Sequence, residues 1–228
     1  MSVDVFNIDS LRSSELFDEG RSLAWEFLSS FEWPWDALPQ ISEFITRLSL
    51  KLDKSEYDIL PNGVFIHKTA KVAPSAFFGS RIIIGANTDV RHCAFVRDNA
   101  LVGEGAVVGN STELKNVILF DGVQVPHYNY VGDSIFGYKS HMGAGAITSN
   151  VKGDSSLVAV AYGKERFQTK LKKFGAILGD NVEIGCNTVL NPGTVIGKNA
   201  NVYPLSMVRG FVPARSIYKK QGEIAEKV

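Results

Sequence analysis

From Ile66 onward, every sixth residue is large and apolar: Ile66, Val72, Phe78, Ile84, Val90, Val96, Val102, Val108 and Leu114. The register resumes as Leu178, Ile184, Leu190, Ile196, Val202 and Val208. Apolar residues make up only 45% of the chain, so fifteen hits at fifteen positions form a pattern rather than an accident. Two residues before each stands a mostly small residue, as at Ala76, Thr88, Ala94, Ala100, Ala106, Thr112, Ala176, Thr188, Thr194 and Ala200. Residues two apart share one face of a strand, so each unit turns one large and one small side chain inward. A helix would carry a six-residue stripe around its cylinder, because six is not a multiple of 3.6. The period suits one short strand and a bend. Stacked coils of such units make a mainly β solenoid, stable only through stacking. Glycine follows the large residue at Gly79, Gly85, Gly103, Gly109, Gly179, Gly185 and Gly197, which predicts a φ-permissive residue beside each turn.

The register slips at Leu119, Val125, Val131, Phe136, Met142 and Thr148, where spacings of five and six mix, and it fails between Val151 and about Phe174. Such breaks map to one side of a solenoid, often the binding side. The expected plan is an N-terminal helical cap over 1–57, a solenoid over 58–213 with an inserted loop at about 151–174, and a helical tail over 214–228. Within the cap, Trp25, Phe27, Leu28 and Phe31 suggest one amphipathic helix. After FEWPWDALPQ, residues Ile41, Phe44, Ile45 and Leu48 have the i, i+3, i+4, i+7 spacing of a second. The region reads as an end cap or an oligomer contact, with a ligand role for Trp33 and Trp35 as the alternative.

Charge excludes several partners. Lys plus Arg and Asp plus Glu number 24 each, so no net field draws the chain to nucleic acid or anionic lipid. No apolar run approaches the roughly 18 residues of a membrane helix. The N-terminus MSVDVFNIDSLRSSELFDEG carries acids early and lacks a secretory pattern. Two cysteines, Cys93 and Cys186, are too few for a disulfide framework. The expectation is a cytoplasmic protein with two thiols.

The chemistry concentrates in the slipped region, ELKNVILFDGVQVPHYNYVGDSIFGYKSHMGAGAITSN, residues 113–150. Lys115, His127, Tyr130 and Asn150 are polar groups set into an otherwise aliphatic repeat. An imidazole, with an ordinary pKa of about 6.5, can accept a proton near neutral pH. By position alone, His127 reads first as a satisfied structural imidazole.

The run VPHYNYVGDSIFG…GAGAITSN, with ELKN before it and IGDNVEIGCNTVLNPGTVIG after it, resembles the acetyltransferase half of the bifunctional glucosamine-1-phosphate acetyltransferase/N-acetylglucosamine-1-phosphate uridyltransferases. LKKFGAILGDNVEIGCNTVLNPG is more similar to their archaeal sugar-phosphate relatives, and the likeness covers about residues 64–208. The resemblance implies a left-handed parallel β-helix, a homotrimer with sites between subunits, acetyl-CoA as co-substrate and an amino sugar phosphate as acceptor. The left hand rests on the resemblance alone, since parallel crossovers are ordinarily right-handed.

Carried over by position, the resemblance makes His127 the general base and Tyr130 a sugar contact. Arg97 and Lys115 match cations that hold the phosphate, and Asn150 matches an asparagine of the same pocket. Ala144 falls where a backbone group meets acetyl-CoA, and the Gly143–Gly145 turn is a candidate source of oxyanion donors. This sequence also departs from the pattern. His141 stands at a pocket asparagine position, Cys186 at a serine position near the coenzyme and Pro204 at a small-residue position. The lysine-bearing loop is replaced by a longer one with Lys152, Lys164, Arg166, Lys170, Lys172 and Lys173.

Nucleotidyl transfer is not expected, because residues 1–57 carry no glycine-rich nucleotide loop. Two other readings stay open. One is a non-catalytic trimer of the same fold. The other is a metal site like that of the γ-class carbonic anhydrases, for which His67, His92, His127 and His141 are poorly spaced, so no metal ligand is assigned.

Overall fold

The computed structural model describes residues 7–227, so the first six residues of the expected cap lie outside the described residues. From Val64 the chain winds as a parallel β-solenoid with 18 residues to a regular coil, three units each. Each unit adds to one of three faces. The first face stacks 64–66, 82–84, 100–102, 117–119, 135–136, 176–178, 194–196 and 211–212. The second stacks Lys71–Val72, Asp89–Val90, Val107–Asn110, Gln124–His127, His141–Met142, Glu183–Ile184, Asn201–Val202 and Ser216–Lys220. The third stacks 77–78, 95–96, 113–114, 130–131, Ile147–Thr148, Val189–Leu190 and Met207–Val208.

The repeated aliphatic position fills the interior. Ile84, Val102, Leu119, Phe136, Leu178 and Ile196 on the first face are fully buried, as are Val108 and Val125 on the second and Leu114 and Val131 on the third. The small position beside it leaves room for a neighbouring coil. Where it is threonine, the buried hydroxyl bonds along the stack, as from Thr88 to the Gly103 carbonyl at 2.8 Å and from Thr112 to that of Val125 at 2.9 Å.

The corners correct the glycine expectation. Backbone φ is positive at Arg81, Asn87, Cys93, Asn99, Gly105 and Ser111, and again at Asn181, Asn187, Gly193 and Asn199. Asparagine, which tolerates left-handed backbone, holds half of these corners. The glycines that follow the large residue are not the left-handed ones. A Cβ on Gly79 would lie 1.7 Å from the Arg97 carbonyl oxygen, and one on Gly109 would lie 1.6 Å from that of Pro126. Their lack of a side chain lets stacked coils touch. The slips are equally local. Left-handed corners fall at Asn116 and Asp133, five residues after those at Ser111 and Tyr128, and the next coil still pairs.

The first face has a cover. Ile83, Leu101, Ile118, Ile135 and Ile177 point away from the interior yet are at most 1% exposed. Helices α1 (Ser13–Leu16) and α2 (Trp25–Ser29) pack on each other, and α2 packs on a 3-10 segment, Pro34–Gln40, which together with α3 (Ile41–Ser49) lies over the strands of this face. α3 buries Ile41, Phe44 and Ile45 and packs on Phe77–Ile84, Phe95–Val102 and Glu113–Leu119. Both amphipathic helices therefore exist, but they sheathe a side of the solenoid instead of its end. The end is closed by Tyr57–Leu60, which pairs antiparallel with Val64–His67.

Two further expectations change. The 151–174 loop contains an antiparallel hairpin, Ala159–Tyr162 with Glu165–Gln168, packed on the same first face against Thr194–Ile196 and Phe211–Val212. The tail is also a hairpin, Ser216–Lys220 with Glu223–Glu226, and its first strand pairs with Asn201–Val202. The small–large rule persists there in Ser216 and Tyr218, both buried, so stacking wins over a solvated helix. No helix among the described residues is long and apolar enough to cross a membrane.

Asp180 ties the cover to the stack. Its fully buried carboxylate accepts the N–H groups of Asp18 and Tyr138, each at 2.7 Å. Burial pushes its pKa up to about 6 despite those bonds. An exposed aspartate titrates near 3.9, so between those values the folded chain holds the proton more tightly than the unfolded one. This group's contribution to stability therefore falls as pH rises from about 4 to 6 and is flat above. In Asp180→Asn the amide leaves one N–H unpaired at every pH. The stability gap between wild type and this variant should narrow by on the order of 2–3 kcal/mol from pH 4 to 7, read by urea denaturation.

The glycines give a second test. Gly85→Ala sets a Cβ 2.7 Å from the Gly103 carbonyl carbon and should cost about 3 kcal/mol. Gly105→Ala, at φ +63° with nothing within 4 Å, carries only the left-handed strain of about 1–2 kcal/mol. Equal denaturation midpoints for the two would contradict the close-approach reading.

Candidate active site

The third face carries chemistry along both of its edges. At the edge shared with the first face, the chain leaves Phe95, Glu113, Tyr130 and Ile147, which are stacked neighbours, and turns a tight corner. Polar side chains collect there. Arg97 Nη1 meets Glu113 Oε1 at 2.8 Å. Asn150 Nδ2 donates to Asp133 Oδ2 at 2.5 Å, and Lys115 Nζ lies 3.7 Å from the same oxygen. Asn116 Nδ2 donates to Asp133 Oδ1 at 3.0 Å and to the Leu38 carbonyl of the cover at 3.1 Å. Tyr130 completes the set, its Oη and Asn150 Nδ2 both flanking Gly132. Burial, followed by Asp133 and Glu113, raises the Tyr130 pKa, so the phenol stays protonated.

Arg97, Lys115, Tyr130 and Asn150 thus meet at one corner, although they come from successive coils. The sequence reading missed their organiser, Asp133. This carboxylate, whose side chain is 8% exposed, takes Lys115, Asn116 and Asn150 together. A signal was present in the two five-residue units. They end in the corners at Asn116 and Asp133, whose shortened turns stack one over the other.

The opposite edge, shared with the second face, carries a different column. Gly145 N–H donates to the His127 carbonyl at 3.0 Å, Asn187 N–H to that of Ala144 at 2.9 Å, and Leu205 N–H to that of Cys186 at 2.9 Å. His127, Ala144, Cys186 and Pro204 therefore stand in successive coils, about 4.8 Å apart. The His127 ring is exposed and has no hydrogen-bond partner among the described residues. Of the candidate oxyanion donors, Gly143 N–H is spent on Ile184 at 2.7 Å and Gly145 N–H on His127, which leaves Ala144 N–H. Cys186 is a free, exposed thiol.

The left-handed corner at Tyr128 separates His127, which ends the second-face strand, from Tyr130, which opens the third. One chain therefore carries the imidazole and the Lys115 cluster on opposite edges of a face. His141 belongs to neither edge. It lies outward on the second face, with Nδ1 2.8 Å from Glu183 Oε2, because the coil sets it beside Gln124 and Glu183. The lysine-rich insert starts and returns beside Asn150, where Phe174 N–H donates to the Asn150 carbonyl at 2.9 Å. Lys152 is tied to Asp154 and Ser156, and Arg166 to the carbonyls of Gly163 and Glu165. No group of three His, Cys, Asp or Glu side chains converges as a metal site among the described residues.

A family model described as the GMPPB C-terminal domain matches residues 90–200. The bifunctional protein GlmU of Methanococcus maripaludis strain C5 is 32% identical over 193 residues, 84% of this chain and 47% of its own length. The bifunctional sugar-1-phosphate nucleotidylyltransferase/acetyltransferase of Sulfurisphaera tokodaii is 31% identical over 126 residues, 55% of this chain and 31% of its own. The chain spans about half the length of the curated relatives it matches, over their C-terminal region. Among solved structures, the acetyltransferase domain of PglB from Neisseria gonorrhoeae in complex with acetyl coenzyme A covers 78% of this chain and 60% of its own. At 18% identity and a TM-score of 0.33, that likeness bears no weight.

Gly132 gives the corner a direct test. A Cβ there would lie 2.5 Å from Tyr130 Oη and 3.1 Å from Asn150 Nδ2. Gly132→Ala should displace the phenol from beside Asn150 and weaken any sugar-phosphate binding at this corner by about tenfold, one lost ligand hydrogen bond. The fold should lose under about 1.5 kcal/mol, because the displaced atoms end a side chain. Calorimetric titration with glucosamine-1-phosphate beside thermal unfolding separates the two effects.

Proposed function

We propose that this chain, a relative of the hexapeptide-repeat acetyltransferases, transfers the acetyl group of acetyl-CoA to the amine of an amino sugar phosphate. The observation that carries this reading is the division of labour across the third face. One edge gathers Arg97, Lys115, Tyr130 and Asn150, which suit a phosphorylated sugar. The other stacks an unpartnered imidazole over an unpaired N–H and a solvent-facing column suited to a coenzyme.

The chemistry assigns each group a role. Arg97 and Lys115 give the phosphate charge-assisted hydrogen bonds, and the Arg97 guanidinium can engage it as a fork. Tyr130 and Asn150 set the sugar ring. His127 takes the proton from the substrate ammonium, and the freed nitrogen lone pair attacks the thioester carbonyl carbon. Ala144 N–H donates to the resulting oxyanion. The C–S bond then breaks, the acylated nitrogen releases its second proton to solvent water, and the departing thiolate of coenzyme A takes up the proton held by His127. Within one chain the imidazole and the Lys115 cluster stand on opposite edges of the third face. The site therefore forms between copies, in a homotrimer whose third faces meet. Phe77, Phe95 and Met207, exposed along that face, are the apolar surface such an assembly covers.

Release of free thiol from acetyl-CoA with glucosamine-1-phosphate tests this. His127→Ala should lower kcat by about 10²–10⁴-fold with little change in the sugar KM. Lys115→Ala should raise the sugar KM instead. A protein that binds no acetyl-CoA and releases no thiol with any amino sugar phosphate would be a non-catalytic trimer, and the reading would fail.

A further inference from the structure

Two sequence features take no part in this chemistry: the tryptophan pair in FEWPWDALPQ and the cations of the inserted hairpin. They come together. A cavity of about 400 Å³ lies between the N-terminal cover and the hairpin, lined among others by Leu11, Trp33, Trp35, Asp36, Arg166 and Lys170. Its size falls within the roughly 300–1,000 Å³ of small-molecule sites.

The walls are chemically asymmetric. On the cover side, the Trp33 and Trp35 rings stack 5.5 Å apart at 3°, and Trp35 is anchored against Phe174 at 6.0 Å. Arg12 lies over Trp33 at 5.2 Å and is held by Asp9 and Glu32, which fixes that indole from outside the cavity. The hairpin side presents Arg166 and Lys170. The Arg166 Nη1 donates to the carbonyls of Gly163 and Glu165, at 2.9 and 2.7 Å, so its head is positioned while its other donors remain. The one acid of the lining is Asp36. Burial, then Glu32, raises its pKa, and Lys170 opposes them, so the Lys170 charge is felt across the cavity.

We propose that this cavity binds a phosphate group carried on a ring, the ring lying against the part-exposed Trp33 and Ile8 and the phosphate on Arg166 and Lys170. Trp35 is buried, whereas Trp33 is part-exposed and gives a nucleobase or sugar ring an apolar wall beside Ile8, and two cations against one acid select an anion. The site sits on the first face and shares no residue with either edge of the third, so it stands or falls apart from the transferase reading.

All three tryptophans, Trp25, Trp33 and Trp35, are in the N-terminal cover, so intrinsic fluorescence reports this site. The probes are uridine monophosphate, glucose 1-phosphate and inorganic phosphate, titrated into the full chain. Saturable change with the first or second supports the proposal and identifies the ring as nucleobase or sugar. The affinity should fall at least about tenfold in the double variant Arg166→Ala/Lys170→Ala. It should rise in Asp36→Asn and stay unchanged in His127→Ala. Both cations are exposed, so their removal leaves folding intact. No saturable response, a response no tighter than that to inorganic phosphate, insensitivity to the double variant, or loss in His127→Ala would each overturn it.

Discussion

Hydrogen bonding between one coil's backbone and the next governs everything else in this molecule. Each coil must return to the same outline one strand spacing further along, so every residue inherits its neighbours from the coils before and after it. The interior accepts only the large–small pair. The corners must take left-handed backbone, and a few positions must lack a side chain because a carbonyl of the next coil would occupy that space, as at Gly79 and Gly109. A change at one coil is therefore transmitted along a column instead of being absorbed locally. The buried threonine hydroxyls, bonded to carbonyls of the following coil, follow the same logic.

The candidate site is this stacking rule applied to polar residues. Functional groups in a solenoid are assembled by columns, so side chains about one coil apart in sequence are adjacent in space. His127, Ala144, Cys186 and Pro204 form such a column without any special local structure. The cluster around Asp133 needs more, because polar groups that stack at a corner must satisfy one another. Two shortened corners, at Asn116 and Asp133, bring their side chains within hydrogen-bond reach and anchor the first of them to Leu38 of the cover. The cover thus supports the site from behind while leaving the third face open.

The first face shows the cost of an apolar outward stripe. Ile83, Leu101, Ile118, Ile135 and Ile177 would expose a continuous hydrophobic strip, and both departures from the repeat are spent on this side of the solenoid. α3 and its flanking segments cover the N-terminal coils, and the inserted hairpin covers the C-terminal ones. Where these two covers approach each other they leave the tryptophan-walled cavity. The third face combines the exposed Phe77, Phe95 and Met207 with the unpartnered His127 ring, which is why the proposed subunit contact and the proposed catalysis share it.

The period of six, the alternation of large and small residues, and the two helices at Trp25–Ser29 and Ile41–Ser49 were all legible in the chain before folding, because each reflects a local periodicity. The polar residues of the site stood out for a related reason: Lys115, His127, Tyr130 and Asn150 interrupt an aliphatic pattern. Three-dimensional stacking decided the rest. The role of Gly79 or Gly85 depends on a carbonyl one coil away, so local φ preference assigned it wrongly. The resemblance set His141 at a pocket position, and within its own chain the coil turns it outward on the second face beside Glu183, since position within a coil sets what a side chain meets. The tail stacked as a hairpin because a neighbouring strand was already there to pair with. The gathering of Asp133 with its three partners, and the meeting of Trp33 with Arg166, join segments that no local rule connects.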